Sequence, residues 1–214
     1  MPDPAQLLLF FTSALLLGIA PGPDNLFVLS IALRQGVRAG VSVTLGLCSG
    51  LLLHTAAVAL GVATLLLQSP LAFTLLKLSG AGYLLYLAHL AWREASSVNV
   101  AHGAAQRSAP SPIAISLRRL YRRGVLLNIS NPKVTLFFLA FLPQFIDASA
   151  SYSAALQTLI LGALFIIATL LVFGSIAFIG GRGGARLNRS ATVSRWLHRV
   201  TALLFLGLAL RLLL

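Results

Sequence analysis

The stretch QLLLFFTSALLLGIAPGPDNLFVLSIAL, Gln6 to Leu33, decides the fold. It is long and apolar enough to cross a bilayer, since a membrane helix needs about 20 mostly apolar residues for a hydrocarbon core roughly 30 Å thick. Yet Ala20-Pro21-Gly22-Pro23-Asp24-Asn25 interrupts it at the middle. Proline inside a helix removes a backbone hydrogen bond and clashes with the preceding turn. The freed amides and carbonyls cannot face lipid, so they must face protein or a water-filled cavity. The stretch therefore reads as a broken membrane helix. It is not a cleaved signal sequence, because Met1-Pro2-Asp3 gives it an acidic start and apolar sequence resumes after the break.

The rest of the chain agrees. Hydrophobic residues make up 58% of the 214 residues and charged residues only 9%, against about 25% in soluble domains. The excess of 16 Lys and Arg over 4 acids sits in short clusters between long apolar runs. A soluble enzyme, a disordered tail and a disulfide scaffold are excluded; the single cysteine, Cys48, permits no intramolecular disulfide. Five further spans follow at about Gly40–Leu67, Leu71–Trp92, Gly124–Leu142, Ala154–Ile179 and Trp196–Leu214.

Arginine placement orients them. Arg34 and Arg38 fall between spans one and two, Arg93 to Arg123 between three and four, and Arg182 to Arg199 between five and six. The opposite loops, Gln68-Ser69-Pro70 and Pro143–Ser153, carry no Lys or Arg. Both termini are expected outside. The quartet Arg118, Arg119, Arg122 and Arg123 forms one helical face, a topology anchor or a seat for anionic lipid headgroups; nucleic acid is not an expected partner.

Residues 95–117, rich in Ala, Ser and Pro, read as a flexible cytoplasmic linker joining two halves, 1–94 and 118–214. Three spans per half means opposite orientations, the layout of an inverted repeat. Span four carries a break in the place matching that of span one: Asn128-Ile129-Ser130-Asn131-Pro132-Lys133. The expected fold is thus an all-α polytopic membrane protein of six transmembrane helices, two inverted three-helix repeats with helices one and four broken. Paired breaks point to a binding site near the midplane.

Asp24 is the only acid within a span, and Lys133 lies too deep to snorkel easily. Charges at such depth cost at least about 2.5–3.5 kcal/mol each, which makes them functional candidates. Asp24 or Asn25 can cap the restarted half-helix, whose positive end favours a carboxylate while Asp24 favours an ammonium. A site offering both suits a zwitterion, and Asp24 is also a group able to take up and release a coupling proton. The alternative is a structural ion pair of Asp24 with Lys133 tying the halves together.

Lys77, two turns into span three, serves substrate or snorkels outward. Tyr83 and Tyr86 are more readily explained by interhelical packing, and His54 by an interhelical hydrogen bond. Cys48 and His54 share no face and no carboxylate joins them, so no metal site follows. Glycines at four-residue spacing, Gly36/Gly40 and Gly46/Gly50, permit close helix approach within the chain or between protomers of a homodimer. No nucleophile–base pair or phosphate-cradling loop is present; neither an enzyme nor a cofactor is expected.

These residues carry a resemblance. Pro21-Gly22-Pro23 with Asp24, Gly36 to Gly50 with Arg38, Lys77 to Leu87, and Asn128 to Phe145 with Asn131-Pro132-Lys133 and Pro143-Gln144-Phe145 make the chain similar to the LysE/RhtB family, the lysine and homoserine/threonine exporters of bacteria. The resemblance spans most of the chain; the linker and last two spans are generic. It implies an inner-membrane carrier exporting amino acids or their derivatives, driven by the proton-motive force. A lone intramembrane acid favours neutral or small polar amino acids over dibasic ones. On this reading Asp24 handles the proton or the substrate ammonium, Asn25, Asn128 and Asn131 hydrogen-bond substrate, and Lys133 pairs with Asp24 or a carboxylate. A passive channel or lipid-translocating protein is the alternative.

Overall fold

The computed structural model describes residues 4–20, 22–62, 70–97, 115–147 and 150–182, and, between 199 and 213, all but 201, 204, 208, 211 and 212. The described residues hold helices and no strands. In chain order the elements are α1 (Pro4–Ile19), α2 (Pro23–Gln35), α3 (Val37–Ala57) running into a π-helical turn (Val58–Val62), α4 (Pro70–Ser97), α5 (Leu117–Ile129), α6 (Pro132–Leu136) and α7 (Ala154–Gly181). A second π turn (Phe137–Phe141) and a 3₁₀ turn (Leu142–Phe145) follow α6.

Val37–Leu60 and Ala154–Gly181 are each long and apolar enough to cross a membrane, and each bent pair becomes so when taken as one span. α1 meets α2 at 61° and α5 meets α6 and its continuation at 50°. Both bends fall where Pro and Asn interrupt the apolar runs. Pro21 itself lies outside the described residues, as do 98–114 of the linker and most of the last inner loop.

Several boundaries differ from the sequence reading. α4 continues past Trp92 to Ser97, three residues into the stretch read as linker. The helix that leads into the fourth expected span begins at Leu117, so the four exposed arginines ride on the first turns of α5 itself. Nothing between Leu117 and Ile129 breaks a helix, and Leu120, Gly124 and Asn128 already form its buried stripe.

The connection between α2 and α3 is one residue long. Gly36 takes φ +84°, ψ 178°, donates its N–H to Ala32 O at 2.9 Å, and accepts from the amides of Ala39 and Gly40 at 3.2 and 3.3 Å. It thus ends one helix and starts the next, in a region of backbone space open essentially to glycine. A Cβ at this position would meet nothing within 4 Å. Gly36→Ala is therefore expected to destabilise through backbone strain alone, by about 1–3 kcal/mol, read as a lower unfolding midpoint in detergent.

α3 lies at the centre, against α5 on one side and α7 on the other. The glycines of span two make this possible within the chain. Gly46 stands against Gly124 and the Tyr121 carbonyl, so α3 and α5 touch backbone to backbone. A Cβ on Gly40 would come within 2.8 Å of the Ala177 Cβ, and one on Gly50 within 2.6 Å of the Asn128 amide oxygen. Gly40, Gly46 and Gly50 are thus used in packing within the chain.

Two apolar clusters result, one beyond each side of the breaks. The first joins Phe10 and Leu17 of α1, Leu51 and Val58, Leu84 of α4, Phe137 to Phe145, and Leu161 and Phe165. Its rings interlock, with Phe137–Phe141 centroids 4.8 Å apart and Phe10–Phe145 5.2 Å apart in an edge-on contact, arrangements that aromatic quadrupoles favour. The second joins Val28 and Ile31 of α2, Val43 and Leu47 of α3, Leu120, and Phe173 and Ala177. Along both α3 and α7 the clusters divide at the same level, between Leu47 and Leu51 and between Ala168 and Phe173. What fills that gap is polar.

Candidate functional site

Each break must satisfy backbone groups its missing turn leaves bare; the first does so with side chains from beyond it and the second with its own Asn131. At the end of α1, Asn25 donates from Nδ2 to Gly18 O at 2.7 Å. The ammonium of Lys133 donates to the carbonyls of Leu17 at 3.1 Å and Ala20 at 3.2 Å. At the start of α6, Asn131 is the N-cap: its Oδ1 accepts from the Lys133 amide at 3.0 Å, with Pro132 at the first helical position. The same Asn131 donates from Nδ2 to Asp24 Oδ2 at 2.6 Å. Two breaks more than a hundred residues apart in sequence are thereby bonded directly to one another.

One expectation is corrected by this geometry and another is refined. Asp24 and Asn25 do not cap α2; the N-cap is Gly22, in extended backbone, with no side-chain cap bond. Pro23 occupies the first position and carries no N–H, and Asp24 turns across the break to Asn131 instead. Lys133 and Asp24 attract one another through charge but not through a direct hydrogen bond: the Lys133 donors go to the α1 carbonyls, and Asp24 Oδ1 has no hydrogen-bond partner. Carbonyls at a helix C-terminus carry partial negative charge, so they stabilise the buried ammonium beside the longer-range attraction of the Asp24 carboxylate.

Asp24, Asn128, Asn131 and Lys133 are all buried, at 2–7% exposure. Three buried acceptors lack a hydrogen-bond donor, Asp24 Oδ1, Asn25 Oδ1 and Asn128 Oδ1, and orphaned polar atoms of this kind call for an explanation. Asp24 and Asn128 line a cavity with Leu17, Leu47, Lys133 and Val134, closed on the α7 side by Phe165, Thr169 and Phe173. It offers about 20 Å³ to the centre of a water molecule, where one water needs about 10–15 Å³. The cavity thus has room for a water or two.

Of the other candidates, Gly22 sits beside the site: a Cβ there would stand 3.3 Å from Lys133 Nζ. His54 Nε2 lies 3.5 Å from the Asn128 carbonyl and its ring stacks near Phe138. Tyr83 and Tyr86 pack on one another on α4, 6.1 Å between centroids, away from the cavity. The Lys77 side chain lies outside the described residues. The α7 contribution went unread in sequence: Thr169 is a lone hydroxyl in a run of Leu, Ile and Ala, a pattern too common to mark a site.

Residues 15–214 match the LysE type translocator family. The chain is 31% identical over 201 residues to an uncharacterized membrane protein of Vibrio cholerae, covering 94% of this chain and 92% of that protein. It is 33% identical over 173 residues to a homoserine/homoserine lactone efflux protein of Salmonella typhimurium, covering 81% and 79%. A leucine efflux protein of Salmonella choleraesuis is 28% identical over 209 residues, covering 95% and 92%. No solved structure matches the chain. With a family match running over nearly its whole length and the helices of a membrane protein, this chain belongs to the LysE type translocators, which are transporters and not enzymes.

Proposed function

We propose that the protein is a secondary exporter of neutral amino acids or their derivatives across the bacterial inner membrane, working by alternating access at the junction of the two breaks. The observation that carries this reading is Asp24: a buried carboxylate bonded across both breaks, with a second oxygen free of donors, in the lining of a small cavity. An ammonium group supplies the donors that Asp24 Oδ1 and Asn128 Oδ1 lack. The walls of Leu17, Leu47, Val134, Phe165 and Phe173 suit an uncharged side chain. The efflux relatives for homoserine, its lactone and leucine agree with that class.

The wider arrangement proposed is six spans in two inverted halves, 1–94 and 118–214, joined through 95–117, with both termini outside. Coupling is to protons through Asp24. The apolar clusters above and below the polar layer act as the two gates, which favours a carrier over an open channel. Motion takes place at the breaks, because α3 and α5 come from different halves yet meet backbone to backbone, which holds those two helices together. The exposed arginine face of α5 is offered to anionic headgroups at the inner surface.

Counterflow in proteoliposomes tests the reading. Unlabelled leucine or homoserine inside is expected to accelerate uptake of the labelled amino acid, faster with a proton gradient, and lysine is expected to compete poorly. Folded protein that exchanges none of these would sink the exporter reading, and unsaturable flux would move it to a channel.

A further inference from the structure

In broken-helix carriers the exposed carbonyls at a half-helix C-terminus are where a coupling sodium is held. Here the end of α1 has that chemistry. The Leu17 and Ala20 carbonyls converge at the break, and Asn25 Oδ1 is buried without a donor. Gly22 leaves room beside them: a Cβ on it would stand 3.7 Å from Asn25 Oδ1 and 3.8 Å from Ala20 O. The negative end of the α1 dipole adds to these oxygens. The positive charge at the two carbonyls is the Lys133 ammonium, 3.1 and 3.2 Å from them.

We propose that this is a monovalent-cation site whose cation is built into the chain: the Lys133 ammonium replaces an exchangeable sodium or small ammonium ion at the α1 break. Tethering the cation to α6 keeps it at the site and joins the two breaks through it. The wild-type protein is then indifferent to sodium. Removing the side chain leaves an oxygen-lined site that takes a free cation.

The experiment compares wild type with Lys133→Ala and Lys133→Met in choline, sodium, potassium, ammonium and methylammonium salts. Two readouts are taken: the unfolding midpoint in detergent and leucine or homoserine counterflow in proteoliposomes. Wild type is expected to behave alike in all five. The variants are expected to lose about ten- to a hundredfold in exchange in choline, the worth of a charge-assisted hydrogen bond on carbonyls left bare. Sodium or methylammonium is then expected to restore much of that loss and raise the variants' midpoint.

Folded variants that respond to none of these cations in either readout overturn the proposal, as do variants that cannot be obtained folded in any of the salts. Only the counterflow arm rests on the exporter reading. Should wild type exchange neither amino acid while the variants' midpoints still rise with sodium or methylammonium, the exporter reading fails and the cation site stands.

Discussion

Asp24→Asn is expected to cut leucine or homoserine exchange about a hundredfold, and to abolish its acceleration by a proton gradient, in a protein that folds normally. The substitution is nearly isosteric and keeps an oxygen in place of Oδ2, so the 2.6 Å bond from Asn131 Nδ2 persists. No cap is lost, because Gly22 and not Asp24 caps α2. What disappears is the negative charge and, with it, a charge-assisted contact to a bound ammonium, worth about 1.5–3 kcal/mol. The unfolding midpoint is the control. Exchange at the wild-type level would falsify the transport role and leave Asp24 as a tie between the breaks; a collapsed midpoint with parallel loss of exchange would point the same way.

Gly46→Ala is expected to have the largest effect on stability. The added methyl is driven into the Tyr121 carbonyl and to within 3.0 Å of the Gly124 Cα. Both obstacles are backbone of α5, so no rotamer change relieves them. Overpacking usually costs about 1–3 kcal/mol, and an obstacle that is itself main chain puts this substitution at the upper end or beyond. Gly124→Ala meets the Val43 carbonyl in the reciprocal way. Because the two sites share one contact, their effects will not add. Gly82→Ala and Gly174→Ala have nothing within 4 Å of the new Cβ and should be neutral or stabilise by up to about 1 kcal/mol, since Ala is the better helix former. Thermal unfolding of the four variants side by side decides it: if Gly46→Ala unfolds with the last two, the tight α3–α5 crossing is wrong.

Much of this was legible in the residues. Proline and asparagine in mid-span announce broken helices because their effect on backbone bonding is local, and both breaks fall where these residues lie. Buried charge was legible because charge in apolar sequence is costly. The partners of that charge were not. Lys133 bonds to the carbonyls of Leu17 and Ala20, atoms every residue owns, so no side-chain pattern could point to them. Asn131 serves as cap and cross-link at once, and only the three-dimensional meeting of the breaks makes the second role. The π turns at Val58–Val62 and Phe137–Phe141 have ordinary apolar composition. Gly46 and Gly50 promised close packing without saying against what; the fold supplies Gly124 and Asn128.

The joint at Gly36 has a bearing on biogenesis. A single residue reaches at most about 3.6 Å, so the finished joint leaves almost no chain to separate α2 from α3. We expect them to enter lipid together, as a hairpin with Arg34 and Arg38 flanking its tip. A tag or reporter spliced in at that tip would therefore disturb assembly of the nascent chain before it ever disturbed the finished molecule.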